Sequence, residues 1–473
     1  MSILRPLAKG GAQGLATLLV EKLSALLLVV GLARALSPDD YGRYSFIIAY
    51  LTLFQVLADI GLEPTLLRRL SQNREDRFRL LANALGLRVG LALLSATLAV
   101  ILTPLAAPDN PSLRWPVAVG AAGLLFMGQP GFRAWFRSEL RIDLVLRVAT
   151  MTNVLLFLGV GLAVGSGAGL TGLFAGIASA HLLGWLYAGW SVRSRVPLRI
   201  ACEVPVWRSL ITEAWPVGAN TFVIMLSLRI APVLLMRYEG PIEVGYYASA
   251  MRLAEALNLV ADGLMMVVFP VFSRLAMEKG EALRALSSAC AKLLGTILLC
   301  VALALSQLAP DVLVLLFGEK FRAAGPTLAV LGAFAVLASV GTVYSMLLMA
   351  LGRQRSMLGV NAVFALLQIG LQFLFISKFG LLGAATGLVA GAAATQMALY
   401  LWPATGEWIR PCARPVVGLV VVAASVLALS GLLPGDAFAK GVGLVTLFLA
   451  ASVGLGLLGR RDIEGLRLAL QTD

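Results

Sequence analysis

Charged residues are scarce in this sequence of 473 residues. Asp, Glu, Lys and Arg make up 13% of the chain, against about 25% in soluble domains. Hydrophobic residues make up 59%, and the mean hydropathy is +0.89. A soluble fold could not keep this much apolar surface away from water. The composition therefore excludes a soluble globular protein and predicts an all-α polytopic membrane protein.

Groups that carry metal, redox or ATP chemistry are also rare. The four cysteines have neither metal-binding nor redox spacing. His181 is the only histidine, and its position inside an apolar segment favours a structural role over a proton relay. No G-x-x-x-x-G-K-[ST] sequence is present, so ATP hydrolysis by the chain is not expected. We expect no enzyme, no metal and no cofactor.

Fourteen apolar segments are long enough to cross a bilayer as helices, which takes about 20 residues. The weakest predictions are the last two segments, and Leu313–Phe317 is assigned to a loop. The predicted spans are Gln13–Leu32, Gly42–Leu62, Leu81–Thr103, Pro116–Trp135, Leu144–Gly165, Leu170–Val192, Pro216–Arg237, Tyr246–Phe272, Ala289–Leu308, Pro326–Leu351, Met357–Ile376, Leu381–Trp402, Val416–Leu433 and Val442–Leu458.

Connecting segments that are rich in basic residues alternate along the chain with connecting segments that contain few. With both termini in the cytoplasm, 26 of the 38 Lys and Arg residues fall in cytoplasmic segments, as expected from their retention in short cytoplasmic loops. The net charge of +13 is therefore interpreted as an orientation signal. We do not expect a nucleic-acid partner.

The two halves of the sequence resemble each other. Four pairs match at slowly increasing spacing: "LSPDDYGRYSF" (36–46) with "EGPIEVGYYAS" (239–249), "AD" (58–59) with "AD" (261–262), Asn153 with Asn361, and "GLTGLFAG" (169–176) with "GLLGAATG" (380–387). These matches predict a duplicated unit of six helices. Since six is even, both copies have the same orientation, as in transporters built from parallel repeats. The repeated connector is interpreted as a structural corner.

The duplication predicts three parts. Residues 1–200 form an N-lobe of six helices, and residues 201–405 form a C-lobe of six helices that is entered by an interfacial cytoplasmic linker. Residues 406–473 hold the last two helices and a cytoplasmic tail. The expected architecture is two lobes in a parallel pseudo-twofold repeat plus two C-terminal helices.

Several motifs in this order also resemble a known family. They are "ARALSPDDYGRYSF", "LADIGLEPTLLRRLS", "VGYYASAMRLAEAL" and "PDVLVLLFGEKFRAAGPTLAVL". The chain resembles polysaccharide or oligosaccharide flippases, including O-antigen flippases, of the superfamily that also contains multidrug exporters and lipid II flippases. One departure is Ala231, where an acidic residue is expected after Arg229 and Ile230. This departure weakens an ion-coupling role at that position.

The resemblance implies a function and its partners. A polytopic protein of the bacterial inner membrane would pass an undecaprenyl-diphosphate-linked oligosaccharide from the cytoplasmic to the outer leaflet by alternating access. The glycan would serve cell-surface polysaccharide assembly, as O-antigen or exopolysaccharide. Membrane lipid is an implied partner, and a polysaccharide polymerase with its chain-length machinery is a further candidate.

Four basic residues lie in the interior of the predicted spans, at least six residues from either end. A charge in mid-membrane costs about 3 kcal/mol or more, so such residues face a water-filled cavity or each other. A cationic central cleft would suit a diphosphate, since Arg can bind its oxygens bidentately and Lys offers a point charge. The predicted substrate-binding residues are Lys22, Arg88, Arg229 and Arg252.

Acidic residues in the spans have two interpretations. They are possible sites of coupling to H⁺ or Na⁺, or structural partners of the basic residues. Arg252 and Glu255, three residues apart on one helix face, can simply pair. Asp59 and Asp262 occupy one position in both copies, which favours a role at a helix end. The residues concerned are Glu21, Asp59, Glu255 and Asp262.

Other functions remain open. A drug or small-molecule exporter of the same fold would favour a cleft dominated by carboxylates, whereas basic groups are at least as numerous here. A membrane polysaccharide polymerase or ligase usually needs a large outer loop with catalytic groups, and the outer loops predicted here are short. A scaffold or channel subunit would not need charges within the spans of both lobes.

Overall fold

The computed structural model describes residues 22–72, 76–193, 200–278 and 280–458. Within these ranges the chain is almost entirely helical and contains no strand. Among the described residues, eleven helices are long and apolar enough to cross a membrane. The prediction of an all-α, multi-pass membrane protein is confirmed.

The chain separates into two compact units, Met1–Ile242 and Glu243–Asp473. Unit 1 has a core around Leu66, Phe132 and Leu210, and unit 2 has cores around Phe272 and around Leu419. The helix Val204–Tyr238, which the repeat assigns to the second lobe, packs within unit 1 against Pro38–Asp59. The lobe boundaries drawn from the repeat stay a prediction.

Unit 1 consists of nine helices and two 3₁₀ turns within the described ranges. The helices are α1 (residues 22–35), α2 (Pro38–Asp59), α3 (Leu62–Gln72), α4 (Arg77–Ala106), α5 (Arg114–Ala122), α6 (Phe132–Ser138), α7 (Ile142–Gly165), α8 (Gly169–Val192) and α9 (Val204–Tyr238). The turns are Pro111–Leu113 and Gly123–Leu125.

Unit 2 consists of six helices and two 3₁₀ turns within the described ranges. The helices are α10 (Pro241–Glu278), α11 (Glu281–Phe317), α12 (Gly325–Ala350), α13 (Gln354–Leu401), α14 (Pro403–Ala428) and α15 (Ala437–Gly454). The turns are Glu319–Ala324 and Ser430–Leu432. Helix α13 is two helices joined at Gly380, which has a positive φ of 54°.

The predicted count of fourteen spans agrees roughly with the structure. Span one falls partly outside the described residues, and spans eleven and twelve are the two parts of α13. One local prediction was wrong, because Leu313–Phe317 is not a loop but the end of α11. Leu313 and Phe317 are fully buried there, so packing extends the helix past Pro310.

The predicted fourth span is broken in the middle. Helix α5 ends at Ala122, and α6 begins only at Phe132. Gly128 and Gly131 between them have φ of 79°, and Pro130 has no backbone N–H to donate. Non-helical backbone is tolerated at membrane depth where it is buried in protein or lines a cavity.

Candidate functional site

A second break separates α2 from α3, directly after Asp59. Ile60 and Gly61 have φ of 44° and 78°, the left-handed conformation that commonly ends helices. The Asp59 carboxylate lies beside the backbone N–H groups of Gly61, Leu62 and Glu63. The start of α3 leaves such donors without partners inside the helix, and an acidic side chain there is favourable. Asp59 therefore lies at a helix end, whereas Asp262 lies in the middle of Pro241–Glu278, and the helix-end role suggested for both residues stays a prediction.

Helix α9 crosses this break at very short range. A Cβ atom on Gly61 would lie 2.7 Å from the carbonyl oxygen of Ala214 and 2.8 Å from the backbone nitrogen of Gly218. A Cβ atom on Gly218 would collide with the backbone of Ile60. Glycine is therefore required on both sides of the crossing.

Ion pairs support the same crossing. Glu213 on α9 accepts hydrogen bonds from Arg68 and from Arg69, whose Nε lies 2.9 Å from the carboxylate. Arg69 also donates to the hydroxyl of Ser209 at 2.7 Å. The break after Asp59 is therefore held in one geometry by its neighbours in unit 1.

The two breaks face a cavity inside unit 1, which we call the Arg88 cavity. Its volume is about 200 Å³. Three charged side chains line it: Asp59, Glu63 and Arg88. Gln55, Thr221 and the break residues Gly128, Pro130 and Gly131 form other parts of the wall. A polar chamber within apolar helices is typical of a transport site.

Arg88 is the most enclosed charge of this cavity. Only 5% of its surface is exposed. Its Nε and Nη1 atoms are buried and have no hydrogen-bond partner among the described residues. The charges of Asp59 and Glu63 act on the guanidinium. Arg88 is therefore partly neutralised but keeps unused donors.

Further basic groups surround Glu63. Arg137 Nη1 lies 3.5 Å from its carboxylate, and Arg133 Nε lies 3.8 Å away. Both arginines are on the short helix α6. The charged groups in and around the Arg88 cavity are therefore three arginines and two carboxylates. The local charge is positive when all five are ionised.

The other predicted site residues lie elsewhere. Lys22 is exposed and is the first described residue of α1, and Glu21 falls outside the described residues. Arg229 is half-buried on α9, two helical turns or about 12 Å beyond Thr221 of the cavity wall. The cleft shared by all four predicted basic residues stays a prediction.

Two predicted residues of unit 2 do meet. Arg252 Nη1 lies 3.2 Å from Glu255 Oε2 on α10, the same-helix pair considered from the sequence. Asp262 is exposed in the middle of that helix. Ion coupling through Asp59, Glu255 or Asp262 is not tested by these contacts.

Sequence reasoning missed Glu63, Gln55 and Thr221. Gln55, Asp59 and Glu63 are four residues apart, the spacing of one helix face. This polar row, which begins two residues before the motif "LADIGLEPTLLRRLS" and continues into it, was the available signal. The contribution of Thr221 comes from a distant helix and had no local signal.

Comparison with known proteins identifies the family of this chain. The model of the polysaccharide biosynthesis protein family matches residues 7–276, more than half of the chain. The chain belongs to this family. A comparison with curated proteins gives no match.

Solved structures show the same fold for this family member. Lipid II flippase MurJ in an inward closed conformation matches with a TM-score of 0.70 at 13% identity, covering 94% of this chain and 98% of that one. An inward-facing multidrug resistance MATE transporter of the MOP superfamily matches with a TM-score of 0.65 at 17% identity, covering 83% and 95%.

A third solved structure is a MOP superfamily transporter from Pyrococcus furiosus, described as having a binding pocket of reverse polarity. It matches with a TM-score of 0.54 at 17% identity, covering 84% of this chain and 93% of that one. Identities this low establish the fold alone. The fold is that of flippases and transporters.

Proposed function

We propose that this polysaccharide biosynthesis protein is a flippase. It moves a polyprenyl-diphosphate-linked oligosaccharide from the cytoplasmic to the outer leaflet of the bacterial inner membrane, for assembly of a cell-surface polysaccharide. The observation that carries the proposal is Arg88, buried in a polar cavity with two nitrogen atoms unpartnered among the described residues.

A phosphate group would complete the hydrogen bonding of Arg88. A buried donor without a partner costs about 1–3 kcal/mol, and more when it is charged. Arginine presents its N–H groups in a planar fork that matches two phosphate oxygens. An anionic headgroup therefore stabilises the Arg88 cavity, whereas an apolar or cationic substrate leaves the two donors unpaired.

The size of the Arg88 cavity limits what enters it. About 200 Å³ accommodates a phosphate group but not an oligosaccharide, since pockets for drug-sized ligands measure about 300–1,000 Å³. The diphosphate end therefore contacts Arg88, the sugars occupy open water-filled space, and the polyprenyl tail remains in lipid. Alternating access then exposes the headgroup to the other side.

The membrane potential is a sufficient energy source. Moving two negative charges outward across about 100 mV, inside negative, yields about 4–5 kcal/mol. Exchange of H⁺ or Na⁺ at Asp59, Glu255 or Asp262 is the alternative. Imposing a K⁺ diffusion potential, a pH gradient or a Na⁺ gradient separately on vesicles distinguishes these sources by the translocation rate.

Charge favours this function over a second one on the same fold. A small-molecule or drug exporter for organic cations would need an excess of carboxylates. The Arg88 cavity and its surroundings have three arginines and two carboxylates instead. We therefore retain the cation exporter only as the outcome that would replace the flippase if the tests below fail.

Translocation in vesicles tests the proposal. The purified chain is reconstituted, and a fluorescent polyprenyl-diphosphate-linked disaccharide is followed from one leaflet to the other. Arg88→Gln should slow translocation at least tenfold, the equivalent of about 1.4 kcal/mol. Arg88→Lys should retain part of the rate. Arg114→Gln is the matched control, since it removes an exposed arginine that does not line the cavity.

The remaining predicted cleft residues belong to the same experiment. Lys22→Ala and Arg229→Ala should also lower the rate if they share the headgroup site. Wild-type rates for Arg88→Gln, Lys22→Ala and Arg229→Ala would contradict the anion-binding assignment. Glycosyl transfer by the purified chain, without translocation, would instead support a polymerase or ligase.

A further inference from the structure

Unit 2 contains an apolar groove that the proposed function does not use. It lies among α12, the C-terminal half of α13 and α14, and its volume is about 490 Å³. Its walls include Val340 and Tyr344 of α12, Met397 of α13, and Val417 and Val421 of α14. We call it the α14 groove. Its composition suits a hydrocarbon chain.

The length of the α14 groove matches one leaflet. Its lining on α14 runs from Ala413 to Val421, nine residues that span about 12 Å of helix. The hydrocarbon core of a bilayer is about 30 Å thick, so one leaflet contributes about half of that. A fatty acyl chain of a single leaflet fits this length, whereas a polyprenyl chain would extend well beyond it.

Basic residues mark one end of the groove. Arg414 lines it, is exposed, and makes no hydrogen bond or ion pair with any residue that the structure describes. Arg410, one turn earlier, donates to the Tyr400 carbonyl at 3.1 Å, and its guanidinium lies 5.8 Å from the Tyr400 ring centre. Arg414 is thus left available for a ligand.

The surroundings of that end are positively charged. Arg284 and Arg353 both pair with Glu407, at 3.4 Å and 3.7 Å. Together with Arg410 and Arg414 they make four arginines against one carboxylate. In the predicted orientation these residues lie on the cytoplasmic side. That leaflet carries anionic lipids, which basic pockets between membrane helices bind.

Gln396 adds a polar point to the groove wall. Its Nε2 donates to the Leu337 carbonyl at 3.1 Å, whereas its Oε1 is buried without a partner among the described residues. Phosphatidylglycerol combines an anionic phosphate, which suits Arg414, with acyl chains, which suit the apolar walls.

We propose that the α14 groove is a binding site for an anionic glycerophospholipid of the cytoplasmic leaflet. An acyl chain occupies the groove, and the lipid phosphate contacts Arg414. The site is separate from the Arg88 cavity, which lies in unit 1, and it does not depend on the proposed flippase activity.

Native mass spectrometry of the full chain in detergent tests this site, with phosphatidylglycerol and phosphatidylcholine as probes. Wild-type protein should retain phosphatidylglycerol about fivefold better, since one basic residue contributes about 1 kcal/mol to binding an anionic lipid surface. Arg414→Gln should remove this preference. Ala393→Phe should remove retention of both lipids, because Ala393 is exposed and lines the groove.

Matched controls separate the site from general effects. Ala424→Phe adds the same ring at an exposed position of α14 outside the groove, and Arg208→Gln removes an exposed arginine of unit 1. Both should behave as wild type. Equal retention of the two lipids by wild type would overturn the proposal, and so would an effect of Ala393→Phe without one of Arg414→Gln. Displacement of phosphatidylglycerol by equimolar polyprenyl diphosphate would assign the groove to the substrate instead.

Discussion

The end of α2 in unit 1 and the middle of α10 in unit 2 differ sharply, although they occupy the same place in the repeat. Asp59 and Asp262 are 203 residues apart. After Asp59 the chain leaves the helix through Ile60 and Gly61, both with positive φ. Helix α10 instead runs straight through Asp262. Of the two copies, the first has a helix break at this position, and the break forms part of a cavity wall.

Side chains around these positions differ in the same way. Glu63 corresponds to Met266 at the same spacing of 203 residues. Arg79 and Arg284 are 205 residues apart, and at the same spacing Arg88 corresponds to Leu293. Two of the three charges of the Arg88 cavity are therefore replaced by apolar residues in the second copy. The two copies therefore differ in their charged residues at the candidate site.

Other features are shared by the two units. Arg79 pairs with Glu203 before α9, and Arg284 pairs with Glu407 near the start of α14. Gly169 and Gly380 open matching segments with φ of 64° and 54°. Features present in both copies are interpreted as structural, and features present in one copy as candidates for function.

The largest expected effect is that of Gly61→Ala. Alanine at this position would have to adopt a positive φ, which costs about 1–2 kcal/mol. Its Cβ atom would also lie only 2.7 Å from the Ala214 carbonyl oxygen. We expect a marked loss of thermal stability, measured by unfolding of the detergent-solubilised protein. The matched change Gly263→Ala meets no atom within 4 Å and should be neutral or stabilising by up to about 1 kcal/mol. Equal losses of thermal stability in the two variants would contradict the expected difference between Gly61 and Gly263.

Arg88→Met should have the next largest effect. It leaves Asp59 and Glu63 without their enclosed cation, and breaking a buried pair costs about 3–5 kcal/mol. The lower end applies, because Arg133 and Arg137 still face Glu63. Leu293→Met, the counterpart in unit 2, should stay within about 1.5 kcal/mol of wild type.

A double mutant sharpens the Arg88 result. Asp59→Asn combined with Arg88→Met removes one uncompensated carboxylate, so it should recover part of the thermal stability lost by Arg88→Met alone. Additive losses in the double mutant would indicate that the two charges do not interact, and the Arg88 cavity would lose its electrostatic basis.

Glu203→Gln should have a local effect. Hydrogen bonds from Arg79 and Asn83 lower the pKa of Glu203 to about 2. Since this lies below the ordinary value of about 4.3, the stabilisation from its ionised form is complete above about pH 4.3 and is lost as the pH falls towards 2. Protection of the Ala201 amide, which donates to Ala82 at 3.1 Å, should fall in this window.

The counterpart in unit 2 serves as the comparison. Glu407 contacts Arg284 and Arg353 at 3.4 Å and 3.7 Å, which are longer than the contacts of 2.9 Å and 3.0 Å between Arg79 Nε and the Glu203 carboxylate. Glu203→Gln should therefore increase amide exchange near residue 203 more than Glu407→Gln increases amide exchange near residue 407. The reverse order would show that contact length does not decide the effect.

The smallest expected effect concerns the repeated connector. Ser37 caps α2 by accepting a hydrogen bond from the Asp40 amide at 3.1 Å, whereas the second copy has Gly240 at this position. Ser37→Gly, which copies unit 2 into unit 1, should cost only a few tenths of a kcal/mol, and Ser37→Ala about 1 kcal/mol. Thermal unfolding of both variants measures the difference, and equal values would contradict a capping role.

Local patterns in the sequence determined the fold class. The apolar runs, the alternation of basic residues and the repeated connectors are each read within one short segment, so they predicted the helices and their duplication without knowledge of packing. Even so, Leu313–Phe317 was assigned to a loop, because its helical state depends on burial against other helices. The domain boundaries and the cleft shared by Lys22, Arg88, Arg229 and Arg252 remain predictions.

The Arg88 cavity was decided by the tertiary structure. Asp59 and Glu63 face Arg88 because α2 breaks at Gly61, and α9 packs against that break at Gly218. Gly128, Pro130 and Gly131 reach the same cavity through a second break in a segment that hydropathy read as one continuous helix. Hydropathy is a sum over neighbouring residues, whereas the partners of a buried charge are set by backbone angles and by helices distant in the chain.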